Sequence, residues 1–123
     1  VAFVTAGIGA TPALALSKEG FVSVKGALHV DRNAEYGQGL VDKLAANMEA
    51  NGTDSSTIQP VFGQSRTASA EAIKAFGAKH NECHFICCGP LGFMKSAMKT
   101  LQEAGIEGDK IHCEMFGTGS VKK

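Results

Sequence analysis

The sequence predicts an α/β domain whose parallel sheet carries helices on both faces. Three observations point there. Short apolar, β-rich runs alternate with longer segments whose apolar residues recur at helical spacing. The connections are short, and five strands alternating with four helices imply right-handed crossovers. Two of the strand-to-helix turns are glycine-rich: Thr5-Ala6-Gly7-Ile8-Gly9-Ala10-Thr11-Pro12 and Cys88-Gly89-Pro90-Leu91-Gly92-Phe93-Met94.

The elements follow in order. Val1 to Thr5 is an apolar strand broken by Gly7 and Gly9. Thr11 is expected as N-cap and Pro12 as the first helical position of a helix to Lys18, which Gly20 stops. A strand over 27–30 and a polar turn lead to a helix from Gly39 to Ala50, with Leu40, Val41, Leu44, Ala45 and Met48 on one stripe and Asn51-Gly52 closing it. Thr57 to Phe62 is a strand that Pro60 assigns to a sheet edge. Ser69 to Lys79 is helical, with Ala72, Ile73 and Phe76 facing the core. Cys83 to Cys88 is a continuous apolar strand, as burial on both faces requires. Leu91 to Ala104 is an amphipathic helix, and Ile111 to Phe116 a last strand.

At 123 residues the chain is predicted to be one domain, spanning 1–123, around one core. Twelve basic and twelve acidic residues balance, without a Lys/Arg cluster beyond Lys122-Lys123, which argues against nucleic acid as a partner. Cys83, Cys87, Cys88 and Cys113 form no C-x-x-C pair and sit in or beside apolar runs. That spacing predicts reduced thiols in a cytoplasmic setting and no metal site. The four histidines, His29, His80, His84 and His112, read as structural. No apolar run approaches the roughly 20 residues of a membrane span. The chain opens inside a strand pattern without a methionine, so it is expected to be cut from a longer polypeptide.

In a parallel sheet both glycine-rich turns fall at the carboxyl edge, where nucleotides bind at the topological switch point. Gly7 and Gly9 permit positive φ and close approach of a ligand, and the helix that follows offers free N–H groups to a diphosphate. The second turn places a thiol, Cys88, at the end of the neighbouring strand and opens another helix at Leu91-Gly92-Phe93-Met94. Asp31, about 20 residues past the glycines, occupies the place of an acid that binds ribose hydroxyls and repels a 2′-phosphate, which favours NADH. Arg32 beside it, and Arg66 at the end of the third strand, could pair with such a phosphate, which leaves NADPH open.

The order V-x-F-V-T-A-G-I-G-A-T-P, then F-I-C-C-G-P-L-G-F-M, then I-H-C-E-M-F-G resembles the C-terminal pyridine-nucleotide domain of the ferredoxin-NADP reductase superfamily, above all the reductase portions of flavohaemoglobins and nitrate reductases. The resemblance implies a Rossmann-like three-layer domain with strand order 3-2-1-4-5. It assigns Thr5, Gly7, Gly9, Thr11 and Pro12 to the pyrophosphate loop. Cys88, Gly89 and Pro90 become the nicotinamide loop, and Phe93 and Met94 follow on the adenine side. Glu114 and Phe116 would reach the flavin face. The implied activity is delivery of hydride from NADH to FAD held by another domain of the same polypeptide, and onward to a haem or similar acceptor. Such flavoreductases carry an upstream barrel with an Arg-x-Tyr-Ser-like flavin motif. Tyr36, Arg32 and Arg66 do not form one, so this chain is not expected to hold FAD by itself. The alternative is a non-catalytic nucleotide-binding sensor or scaffold of the same fold, which would need neither Cys88 nor the Glu114-Met115-Phe116 ending.

Overall fold

The computed structural model describes residues 1–20 and 23–115. Five strands, β1 (Ala2–Ala6), β2 (Gly26–Asp31), β3 (Ile58–Phe62), β4 (Phe85–Gly89) and β5 (Ile111–Met115), form one sheet in the order β3-β2-β1-β4-β5. Every pairing is parallel, so all strands end on the same edge. The helices are α1 (Ala10–Glu19), α2 (Ala34–Ala50), α3 (Arg66–Lys79) and α4 (Leu91–Glu103). The chain is therefore a three-layer α/β domain, with the strand order that the resemblance implied.

Alternation along the strands builds two cores. Ala2, Val4, Leu28, Phe85 and Cys87 point to the layer of α3 and α4, where they meet Ile73, Phe76, Ala97 and Leu101. Phe3 and Ala27 point the other way, onto Ala13 of α1 and Leu44 and Met48 of α2. Phe3, Phe85, Leu28, Met48 and Leu101 are all but fully buried, each worth about 1.5–3 kcal/mol of transfer free energy. β3 lies at the edge, where the missing N–H of Pro60 is tolerated.

Several boundaries differ from the sequence reading, each for a local reason. Thr11 does not cap α1 and Pro12 is not its first residue. A single 3-10 turn over Gly7–Gly9 winds straight into the helix, Gly9 is the N-cap, and Pro12 is third in line. Proline is tolerated there because it lies in the first turn of the helix. α2 starts at Ala34 rather than Gly39: the Asn33 side chain accepts a hydrogen bond from the Tyr36 N–H at 2.8 Å and nucleates a turn that the glycines had disguised. α3 starts at Arg66 rather than Ser69, because Ser65 Oγ accepts from the Ala68 N–H at 3.1 Å. β4 begins at Phe85, two residues after Cys83. Gly20 ends α1 with a left-handed φ of 74°, as expected of a glycine stop. Phe116 lies outside the described residues.

Candidate functional site

The site is built from the ends of four strands. Gly7 leaves β1 with φ +56°, a left-handed conformation that an L side chain resists, and a Cβ there would meet nothing within 4 Å. Gly9 is different. Its φ is −63°, and what it supplies is proximity: a Cβ on it would stand 2.3 Å from the Cys88 carbonyl oxygen and 2.7 Å from Gly89 Cα. The group that closely approaches Gly9 is thus the protein's own β4 backbone, where the sequence reading expected a ligand. Gly89 is hemmed in by Ala6 and Phe93. The two glycine-rich turns are therefore one continuous rim, and neither α1 nor α4 has a side-chain cap on its first N–H groups.

In front of that rim is a cleft of about 600 Å³, lined by Ala6 and Gly7 after β1, Asp31 and Arg32 at the end of β2, Gln64 after β3, Arg66, Ser69 and Ile73 on α3, and Pro90, Gly92, Phe93 and Ser96 at the start of α4. Two guanidinium groups and one carboxylate give it a net positive lining suited to an anion. A larger hollow of about 720 Å³ lies on the other face, over β4 and β5. Its lining is aliphatic apart from the stacked pair His84 and His112, and among the expected site residues only Pro12 reaches it. Apart from those two imidazoles it offers no charged, hydroxyl or amide side chain, so the strand-end cleft, with its two guanidinium groups and a carboxylate, is the candidate site.

The expected residues thus fall into groups. Gly7, Asp31, Arg32, Pro90 and Phe93 share the cleft. Thr5 is buried, 3 % exposed, and its Oγ1 lies 2.7 Å from His29 Nδ1. Cys88 is 1 % exposed and sits behind the rim, under Gly9, instead of bordering the cleft. Met94 is buried, at 3 %, and Thr11 is exposed on α1; neither lines the cleft. Glu114 is the register partner of Cys88 in β5. Sequence reasoning did not assign Gln64, Ser69 and Ser96, and had Arg66 closing a strand instead of opening α3. The signal that could have found the α3 start is Ser65, a good N-cap directly before Arg66.

Electrostatically, burial pushes the His29 imidazole below its ordinary value of 6.5, against the opposing pull of Asp31. Its Nε2 lies 3.3 Å from Asp31 Oδ2, while Asp31 Oδ1 accepts from the Asn33 N–H at 3.1 Å. On the opposite sheet face, the Cys87 thiol is raised well above the usual range, first by its Cys113 partner across β4 and β5 and then by burial. Among the described residues no group of three or more His, Cys, Asp or Glu side chains could hold a metal ion, and no helix is long and apolar enough to cross a membrane.

Comparison with known proteins gives a consistent direction. No family model matches the chain. A flavohemoprotein of Bordetella pertussis is 40% identical over 40 residues, covering 32% of this chain and 10% of that protein. One from Chromobacterium violaceum is 40% identical over 37 residues, 30% of this chain and 9% of that protein. In structure, a flavohemoglobin from Malassezia yamatoensis, solved with bound FAD and heme, superposes with a TM-score of 0.61 and 21% identity, over 94% of this chain and 31% of that one. Nearly the whole chain shares its fold with under a third of a flavohemoglobin, and about a third of it is similar in sequence to flavohemoproteins.

Proposed function

We propose that residues 1–123 are the pyridine-nucleotide-binding module of a flavin-dependent oxidoreductase, working with an FAD-binding domain of the same polypeptide and, beyond it, a haem or similar one-electron acceptor. The observation that carries this reading is the fusion of the two glycine-rich turns at Gly9 and Cys88, which sets the Gly7 turn and the uncapped start of α4 beside a cleft holding Asp31, Arg32 and Arg66. The partial likeness to flavohemoproteins supports the same class.

The residues present suit a dinucleotide. The first N–H groups of α4 and of the Gly7–Gly9 turn that leads into α1 favour a diphosphate, since aligned peptide dipoles place partial positive charge there; the Ala10 N–H is itself bonded to the Gly7 and Ile8 carbonyls. Asp31 is an acceptor for ribose hydroxyls, which favours NADH, and Phe93 offers the adenine side an apolar surface. Arg32 and Arg66 balance the charge. When bound, the nucleotide would supply a hydride to a flavin held by the adjoining domain. The chain's contribution is orientation, an effect worth up to about 7–11 kcal/mol in favourable systems, so no strong acid or base is required. In this reading the hydride-transfer end lies where β4 and β5 carry the register partners Cys88 and Glu114, with Cys88 acting from behind the rim; Phe116 is assigned to the same end by the resemblance alone.

The burial of Cys88 favours a second reading, a nucleotide-binding sensor or scaffold without redox chemistry. Calorimetric titration of the full-length protein with NADH and NADPH, followed by stopped-flow measurement of flavin reduction, separates the two. Saturable NADH binding with flavin reduction is expected. Binding without reduction selects the sensor, and absence of binding by either nucleotide removes both. Tight stoichiometric FAD retention by residues 1–123 alone would also contradict the proposed division of labour.

A further inference from the structure

We infer that His29 is a positioning residue: through a buried hydrogen-bond chain anchored on Thr5 it fixes the Asp31 carboxylate and so sets which dinucleotide the cleft prefers. The inference rests on the nucleotide reading of the cleft and adds to it a residue that touches no ligand.

The chain runs across the sheet from its centre to the cleft. Thr5 and His29 are register partners on β1 and β2, and His29 and Asp31, two apart on one strand, share a face. Thr5 Oγ1 lies 2.7 Å from His29 Nδ1, and His29 Nε2 lies 3.3 Å from Asp31 Oδ2. His29 is only 2 % exposed and held neutral by burial, so its ring has one donor and one acceptor. The carboxylate can only accept. Nε2 therefore carries the proton and donates to Asp31, Nδ1 is bare, and the Thr5 hydroxyl donates to it. Only one proton arrangement satisfies all three groups.

Asp31 is thereby held at both oxygens, Oδ2 by His29 and Oδ1 by the Asn33 N–H. Packing holds it from the sides as well. The Phe62 ring stands edge-on to His29 at 6.4 Å between centroids. A Cβ on Gly37 would lie 2.6 Å from Phe62 and 2.9 Å from Asp31 Cβ, so the start of α2 is closed down on the pair. The Asp31 side chain is 9 % exposed where it lines the cleft, so the part of the fixed carboxylate left open there can accept from a ribose hydroxyl, and its charge repels a 2′-phosphate. A carboxylate free to rotate would turn toward Arg32 and lose that discrimination.

The test uses the full-length protein. Kd values for NAD and NADP are measured by calorimetry for wild type, His29→Leu and His29→Gln, and the ring tautomer of His29 is read by nitrogen NMR in wild type. The wild-type ring is expected to carry its proton on Nε2 near neutral pH, with NAD preferred. His29→Leu should cut the NAD-over-NADP preference about tenfold, the worth of a hydrogen bond to a charged group. His29→Gln, whose amide can still donate to Asp31, should keep most of it; a purely space-filling role would show no such rescue. An unchanged preference in a folded His29→Leu overturns the inference while the nucleotide reading stands. If His29→Leu does not fold, a proton on Nδ1 in wild type, or a preference lost equally in His29→Gln, overturns it. Failure of wild type to bind either nucleotide overturns the nucleotide reading itself, and this inference with it.

Discussion

The backbone of Cys88 presses against Gly9 so closely that a β-carbon on the glycine would come within 2.3 Å of the carbonyl oxygen. Both partners are main chain in regular elements, so neither can swing aside. Gly9→Ala is expected to cost about 3 kcal/mol, the upper end of overpacking penalties. Gly7→Ala, which faces open space and bears only the strain of φ +56°, is expected to cost about 1–2 kcal/mol. Urea unfolding of the two variants checks the order; equal losses would mean that the two turns are not wedged together.

Helix starts give a second contrast. Ser65→Ala and Asn33→Ala each remove a side-chain cap and should each cost about 1 kcal/mol. Thr11→Ala should fall within about 0.5 kcal/mol of wild type, as expected for an exposed position that caps nothing. Thermal unfolding of the three variants decides this, and a large loss for Thr11→Ala would restore it as a cap.

Two histidines make stability depend on pH. His29 is pushed below 6.5 by burial, and His80 by burial, by Lys79 and by the charge of the chain's amino terminus. The unfolded chain takes up protons at each site as pH falls through 6.5, whereas the folded chain does not until lower pH. Stability contributed by the neutral rings is therefore present above 6.5 and is lost as pH falls from there toward the folded values. Tm should decline between about pH 7.5 and 5.5, and His29→Gln should flatten that decline. A Tm independent of pH in this window would contradict the burial argument.

Cys88 and Cys87 are adjacent in β4 but face opposite layers, which makes them a matched pair of variants. On the proposed function, Cys88→Ala in the full-length protein is expected to slow flavin reduction by NADH up to about a hundredfold with little change in NADH affinity, the signature of lost orientation exerted from behind the rim. Cys87→Ala, within the α3–α4 core, should lower stability and leave the transfer rate within about twofold of wild type. Rapid-mixing kinetics distinguish the two; equal rates in both variants would remove Cys88 from the chemistry.

Much of this architecture was legible because hydrophobic period and glycine placement act over a few residues. The strands around Phe3, Leu28 and Phe85, the Gly20 stop and the edge position signalled by Pro60 all depend on local chemistry. What escaped depends on partners distant in sequence. Gly37 sits inside α2 because Phe62 and Asp31 crowd it, and nothing near residue 37 reveals either neighbour. The same holds for Gly9, whose partner is Cys88, and for His29, which looks like any strand histidine until Thr5 is placed beside it. Gly37 and Gly39 mask the start of α2, whose cap is Asn33.

The central position of β1 governs how the domain comes together. Its two neighbours are β2, which follows soon after, and β4, whose Phe85 must find Ala2 across roughly eighty intervening residues. Until that partner arrives, one flank of the middle strand offers unpaired N–H and C=O groups beside the apolar side chains of Phe3 and Val4. Folding should thus be slow for a chain of this size, since so long a loop must close before the sheet is whole. Fragments that stop short of β4 should associate with one another in place of folding.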